Sequence, residues 1–253
     1  MNDTQPPTAA DRSIREKILC AIDTPDLARA RGLAAQLPGR IGGIKLGLEF
    51  FSAHGPDGVR EVMAEAGDAR LFLDLKFHDI PNTVAAAMRA AVALAPGLIN
   101  VHAGGGPAML EAAMKAAQDA AEATGIAPPL VLGVTVLTSL DGADLEAMGV
   151  HNQVEDQVVR LAELAARAGL DGVVCSAREI TAIRRALGPD FVLVTPGIRP
   201  ASAESGDQKR VTTPADALSA GADYLVIGRP ITADPDPAAA ADRIVAEAAA
   251  ELA

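Results

Sequence analysis

The residues best suited to chemistry lie between Asp74 and Thr83, in the order Asp-Leu-Lys-Phe-His-Asp-Ile-Pro-Asn-Thr. Asp74 and Lys76 are two positions apart, which puts them on one face of a strand. Asp79 follows just before Pro81, a residue suited to the first turn of a helix. Lys45 ends another apolar run, at 42–46, and supplies a second ammonium group. Lys45, Asp74, Lys76 and Asp79 thus make a set of alternating sign. Opposite unit charges about 4 Å apart interact by roughly 4 kcal/mol at an effective dielectric near 20, so such a set can be held rigid when partly buried. An ammonium fixed in this way can stabilise a carbanion and hand it a proton, while a carboxylate beside it raises the energy of a bound anionic group. A single Lys–Asp pair is more often a surface salt bridge, but four charges at adjacent strand ends point to a site.

A second constellation suits an anion. It comprises Thr195-Pro196-Gly197-Ile198-Arg199-Pro200, then Gly206-Asp207-Gln208-Lys209-Arg210, then Ile227-Gly228-Arg229-Pro230. Gly228 lets backbone approach a ligand and Arg229 offers a forked donor for phosphate. Residues 199–211 mix Pro, Ser, Gly and charge without periodicity, the composition of a lid or ligand clamp. Other signals are weaker. Asp23 ends the first apolar run and serves either as a solvated rim carboxylate or as a ligand for sugar hydroxyls. Gly104-Gly105-Gly106 fits a tight turn better than an anion nest. His54, His78, His102 and His151 lack metal-ligand spacing, and Cys175 reads as a core thiol rather than a nucleophile.

The elements that must position these groups are legible as alternation. Eight β-like runs, at about 17–23, 42–46, 71–75, 97–102, 130–136, 171–175, 191–195 and 222–227, are separated by segments of helical periodicity such as 81–95, 107–123, 152–168 and 177–187. Strand–helix alternation implies a parallel sheet with crossover helices, and eight repeats in 253 residues favour a single-domain α/β fold, the (β/α)8 TIM barrel, over an open doubly wound sheet. Residues 1–13 are polar and read as a disordered extension, with the barrel domain occupying 14–253. In such a barrel the strand C-terminal ends share one mouth. Asp23, Lys45, Asp74, Lys76, His102, Thr138, Ser139, Cys175, Ser176, residues 195–199, Gly228 and Arg229 would converge there, with phosphate at the loops after the last two strands.

Composition narrows the partners. A net charge of −11, no Trp and a single Tyr, Tyr224, argue against a nucleic-acid surface. Cys20 and Cys175 lie in apolar runs far apart, which fits reduced thiols rather than a disulfide framework. No apolar segment approaches the roughly 20 residues that span a bilayer. These features predict a soluble, cytoplasmic protein with no membrane partner.

The chain resembles the orotidine 5′-phosphate decarboxylase family from about Lys17 to Ala246. The resemblance is carried by Ala21-Ile22-Asp23, Ile44-Lys45-Leu46-Gly47, the Asp74 to Thr83 segment, residues 134–139, Thr195 to Pro200, Gln208 and residues 227–232. The string Asp-x-Lys-x-x-Asp-Ile-Pro-Asn-Thr is the most specific part. The resemblance implies a carboxy-lyase that converts orotidine 5′-phosphate to UMP and carbon dioxide, the last step of de novo pyrimidine biosynthesis, without metal or organic cofactor. It implies that Lys76 protonates the sixth pyrimidine carbon, that Asp74 sits against the scissile carboxylate, and that Lys45 bridges the ribose and the charged network. By the same resemblance Asp23 binds ribose hydroxyls, Thr138 and Ser139 contact the pyrimidine, and Arg199, Gln208, Gly228 and Arg229 hold the phosphate. It further implies a homodimer in which Asp79, Ile80 and Thr83 complete the neighbouring subunit's site. One rival is a metal-assisted sugar-phosphate lyase similar to hexulose-6-phosphate synthase; those relatives share Asp-x-Lys-x-x-Asp but carry Glu at the end of the second strand, where this chain has Lys45. Another is a catalytically silent barrel that binds a nucleotide or phosphosugar.

Overall fold

The structure is a computed structural model that describes residues 9–200 and 212–252. Its eight strands are β1 (Ile18–Ala21), β2 (Gly43–Gly47), β3 (Arg70–Phe77), β4 (Leu98–His102), β5 (Leu130–Val134), β6 (Gly172–Val174), β7 (Val192–Pro196) and β8 (Tyr224–Ile227). Each pairs in parallel with the next, and β8 pairs with β1, so the sheet closes into a barrel. Helices between the strands cover the outside, which is the (β/α)8 architecture that the alternation predicts. Two of them, Pro81–Val92 and Pro107–Thr124, start on the prolines that the sequence marks.

Side chains alternate across each strand, and this separates two apolar layers. Ile18, Cys20 and Ile22 face outward into the large cluster beneath the helices, as do Ile44, Leu46, Leu71 and Leu73. Leu19, Phe72, Leu98, Leu132, Val194 and Val226 face inward and fill the barrel. Burying a Leu or Phe side chain contributes about 1.5–3 kcal/mol, so this inner layer both stabilises the barrel and forms a floor beneath the mouth. Continuing the same alternation toward the strand ends brings Lys45 above Gly43, Asp74 above Phe72 and Asn100 above Leu98.

One local feature departs from the expected pattern. The boundary expected after residue 13 falls inside a helix, Ala9–Lys17, and Arg15 and Arg40 from this end of the barrel both pair with Asp242 of the last helix, Pro237–Leu252. The helix Leu48–Glu65 is kinked where Gly55 adopts a left-handed φ of 58° directly before Pro56. Gly104 and Gly105 lie in a single 3₁₀ turn, and a Cβ on Gly105 would require the end of the Met109 side chain to shift.

Candidate active site

At the C-terminal ends of β1, β2 and β3, four charges meet. Lys45 Nζ lies 3.0 Å from Asp23 Oδ1 and 3.3 Å from Asp74 Oδ2, and Lys76 Nζ donates to Asp74 Oδ1 at 2.6 Å. The side chains of Lys45 and Asp74 are only 10% and 12% exposed, against 26% for Lys76 and 58% for Asp23. The order is Asp23–Lys45–Asp74–Lys76, running from the rim into the barrel and back. Strand adjacency produces it: Ala21 pairs with Lys45 and Gly47 with Asp74, so inward residues near these strand ends become neighbours.

Burial and pairing oppose each other in this array, and pairing prevails. Burial disfavours the Lys45 ammonium, but Asp74 and Asp23 outweigh it and hold the group above the usual lysine range. Burial likewise disfavours the Asp74 carboxylate, yet Lys45, Lys76 and the amide of Asn100 bring it below the usual range. Asp74 is therefore a fixed negative charge between two ammonium groups.

The second aspartate of the array differs from the one expected. Among the described residues, the carboxylate of Asp79 pairs with no cation of its own chain; it accepts from the Ile80 N–H at 2.6 Å, at the start of the helix Pro81–Val92. Asp79, Ile80 and Thr83 are exposed, Ile80 by 66%. Asp23, two residues after the end of β1, takes the place beside Lys45 instead.

Lys76 reaches Asp74 through irregular backbone. Its φ is +50°, a left-handed conformation that costs an L-residue roughly 1–2 kcal/mol. Here the β3–β4 register shifts: Leu73 pairs with Ile99 and Phe77 with Val101. Opposite the irregularity sits Asn100, fully buried. Its Oδ1 accepts the Lys76 backbone N–H at 2.7 Å, and its Nδ2 donates to Asp74 Oδ1, also at 2.7 Å. The sequence reading overlooked Asn100. The available signal was an amide in the middle of the apolar run Leu98-Ile99-Asn100-Val101, where a buried polar group needs partners. Gly47, which the sequence offers only as part of Ile44-Lys45-Leu46-Gly47, has a packing role: a Cβ there would stand 3.1 Å from Lys45 Nζ and 3.4 Å from Asp23 Oδ1, so a side chain would crowd the pair.

The array opens on a cavity of about 210 Å³ lined by Lys45, Asp74, Lys76, Thr138, Cys175 and Pro196 among others. A wider cleft of about 780 Å³ adjoins it, with Thr138, Ser139, Ser176, Glu179, Gly197 and Thr212 on its walls. Glu179 is partly buried, which raises its carboxyl above the usual range against the opposing N–H bond from Ser176. Cys175 is buried, and burial pushes its thiol far above the ordinary value, as expected of a core thiol rather than a nucleophile. Thr138 and Ser139 are exposed on the loop after β5. His102, at the end of β4, packs against His78 with ring centroids 5.5 Å apart, and burial together with His78 lowers its pKa.

At the opposite side of the mouth, Arg199 is buried and its backbone N–H donates to the Thr212 carbonyl, joining the ends of the segment 199–212. Gln208 lies outside the described residues. Gly228 caps the short helix Arg229–Thr232 directly after β8. A Cβ on Gly228 would meet Ala21 at 3.5 Å, an ordinary contact, so packing within the chain leaves room for a side chain there.

A closed parallel barrel whose mouth buries paired ammonium and carboxylate groups beside a cavity belongs to the class of (β/α)8 proteins with their chemistry at the strand C-terminal ends. A model of the orotidine 5′-phosphate decarboxylase / HUMPS family matches residues 16–244. The orotidine 5′-phosphate decarboxylase of Rhodospirillum rubrum is 60% identical over 230 residues, 91% of this chain and 93% of that protein. That of Moorella thermoacetica is 57% identical over 234 residues, 92% of each chain. The solved structure of orotidine 5′-phosphate decarboxylase from Lactobacillus acidophilus superposes with a TM-score of 0.80 at 34% identity, covering 91% of this chain and 98% of that one. The chain belongs to the orotidine 5′-phosphate decarboxylase / HUMPS family.

Proposed function

We propose that this protein decarboxylates orotidine 5′-phosphate to UMP and carbon dioxide, as a carboxy-lyase closing de novo pyrimidine biosynthesis. The observation that carries this reading is the order Lys45–Asp74–Lys76, a buried carboxylate fixed between two ammonium groups that line a cavity at the barrel mouth. In the reaction the bond from the sixth pyrimidine carbon to its carboxylate breaks, the electron pair stays on the ring carbon, and a proton from Lys76 Nζ replaces the departing carbon dioxide. Asp74 repels the substrate carboxylate before reaction and loses that repulsion as neutral carbon dioxide forms, while Lys76 attracts the growing charge.

Lys45 and Asp23, hydrogen-bonded to each other, are suited to the ribose hydroxyls, and Thr138 and Ser139 on the cleft wall to the pyrimidine. Arg199, Gln208, Gly228 and Arg229 form the phosphate end in this reading; the room above Gly228 supports a close backbone approach. The exposure of Ile80 and the absence of an in-chain cation partner for Asp79 among the described residues support a homodimer in which Asp79, Ile80 and Thr83 complete the neighbouring site. The protein works in the cytoplasm in this reading, and among the described residues no helix is long and apolar enough to cross a membrane.

A metal-assisted lyase is disfavoured by Lys45, whose own charge sits between the two carboxylates where a divalent ion would need them. The deciding experiment follows the loss of orotidylate absorbance by the purified protein in excess EDTA. Turnover unaffected by the chelator supports the proposal; an inert protein, or one revived only by added Mg²⁺, overturns it.

A further inference from the structure

We infer that Asn100 is a positioning residue for the reaction proposed above: its carboxamide fixes the irregular segment of β3 that aims Lys76. From Leu73 to Phe77 is a step of four residues, whereas their partners Ile99 and Val101 are two apart, so β3 carries two residues more than β4 across this stretch. An insertion of this kind frees backbone groups from the ladder and turns the chain. The freed Lys76 N–H is a donor that needs an acceptor, and Asp74 Oδ1 is an acceptor already bonded to Lys76 Nζ at 2.6 Å. Asn100 meets both requirements from one side chain, with Oδ1 on the N–H and Nδ2 on the carboxylate, each at 2.7 Å. Neither bond can be reversed, because an N–H only donates and a carboxylate only accepts, so the orientation of the amide is determined.

Asn100 thus ties the main chain of Lys76 to the carboxylate that receives its ammonium group. Lys76 holds φ at +50° inside this triangle. Strain of that kind persists where the surroundings over-determine it. Without the amide, the N–H loses its acceptor and the left-handed residue is free to relax. Asp74, still paired with Lys45, loses one of the two bonds to its Oδ1 and keeps only the one from Lys76 Nζ among the described residues.

The test uses the full-length protein and two variants. Asn100→Ala should lower kcat for orotidine 5′-phosphate by about 100-fold, the scale of a misplacement near 1 Å, with KM and the affinity for UMP within about threefold of the parent. Asn100→Asp keeps the shape and separates positioning from mere packing. Its protonated carboxyl can accept from Lys76 N–H and donate to Asp74, whereas its ionised form repels Asp74. Turnover of Asn100→Asp should therefore climb toward the parent's as pH falls and decline as pH rises, relative to the parent measured at the same pH. The charged groups facing position 100 are Asp74 and Lys76 on β3, with Lys45 behind Asp74 on β2 and His102 along β4, while its partner Leu132 on β5 carries none. All of these are common to parent and variant, so the ratio isolates the new carboxyl.

Equal kcat in parent and Asn100→Ala, or a flat Asn100→Asp ratio, overturns the inference. If the parent leaves orotidine 5′-phosphate untouched, the proposed function falls, and crystal structures of the parent and Asn100→Ala then decide the positioning role. Lys76 leaving its positive φ or its bond to Asp74 in the variant upholds that role, and an unchanged Lys76 refutes it.

Discussion

The two ends of the barrel both carry charged clusters, but those clusters are satisfied in different ways. At the N-terminal end, the Arg184 guanidinium donates to the carbonyls of Gly188, Phe191 and Gly221 and to Asp223, which in turn accepts the Leu193 N–H at the start of β7. Asp171, just before β6, accepts the Val131 N–H of β5 at 2.7 Å. These groups are consumed by the backbone and knit adjacent strand starts together. At the C-terminal end, the ammonium groups of Lys45 and Lys76 bond only to carboxylates among the described residues, and an ammonium has three protons to donate. The mouth therefore keeps donor capacity beside a cavity. The difference also shows in the acids. Asp171 has backbone N–H partners, burial outweighs them, and its pKa is raised; Asp74 has two ammonium partners, and its pKa is lowered. One end of the fold uses charge to close gaps in the ladder, and the other pairs charge with charge beside a cavity.

This contrast predicts that substituting Lys76 or Arg229 at the mouth acts on activity and that substituting Arg184 at the base acts on stability. The largest effect belongs to Lys76→Ala, which should lower kcat by at least about 10⁴-fold, the upper range for a general acid, while binding UMP nearly as well as the parent. Single-turnover product analysis together with calorimetric titration of UMP checks it, and near-parental turnover would remove Lys76 from its role. Arg229→Ala should come next, raising KM for orotidine 5′-phosphate by about 10- to 100-fold through loss of charged hydrogen bonds to phosphate. Steady-state kinetics test this, and an unchanged KM places the phosphate elsewhere.

Arg184→Ala inverts the pattern. It should lower stability by about 2–3 kcal/mol in urea titrations by stripping carbonyls and Asp223 of their donor, with kcat per folded molecule unchanged. A kcat loss without a shift in the urea midpoint would erase the distinction between the two ends. The smallest effects are in the pH dependence of stability. Asp74, depressed in the folded state, contributes stability that is present above the unfolded aspartate value near 3.9 and is lost as pH falls through its folded value. Asp171, raised in the folded state, acts in the opposite sense: stability declines as pH rises from that unfolded value through its own folded one. The stability gap between the parent and Asp74→Asn should thus shrink toward acid, and Asp171→Asn should gain on the parent as pH rises. Urea midpoints across that range check both signs.

Much of the architecture is legible without coordinates. The run at 191–195 becomes β7, Val192–Pro196, and the run at 97–102 becomes β4, Leu98–His102, because apolar content bounded by turn residues survives into a strand buried on both faces. β3 is longer than expected, reaching Phe77 instead of residue 75, since the ladder resumes beyond a bulge that no local propensity announces. Asp79 could not be separated from the in-chain array by spacing alone, because spacing along the sequence says nothing about the acid that another strand brings in.

The sequence by itself determined the eight-fold strand–helix alternation and the types of charge at the strand ends, because these depend on periodicity and composition, which are local. Only the tertiary structure decided which charges meet. Parallel pairing of successive strands sets β1 beside β2 and β2 beside β3, and Coulombic and hydrogen-bond interactions act over a few ångströms of space rather than along the chain. Asp23 consequently joins Lys45, Gly47 leaves room for the pair, and Asn100 comes to lie against a lysine that is 24 residues away in sequence.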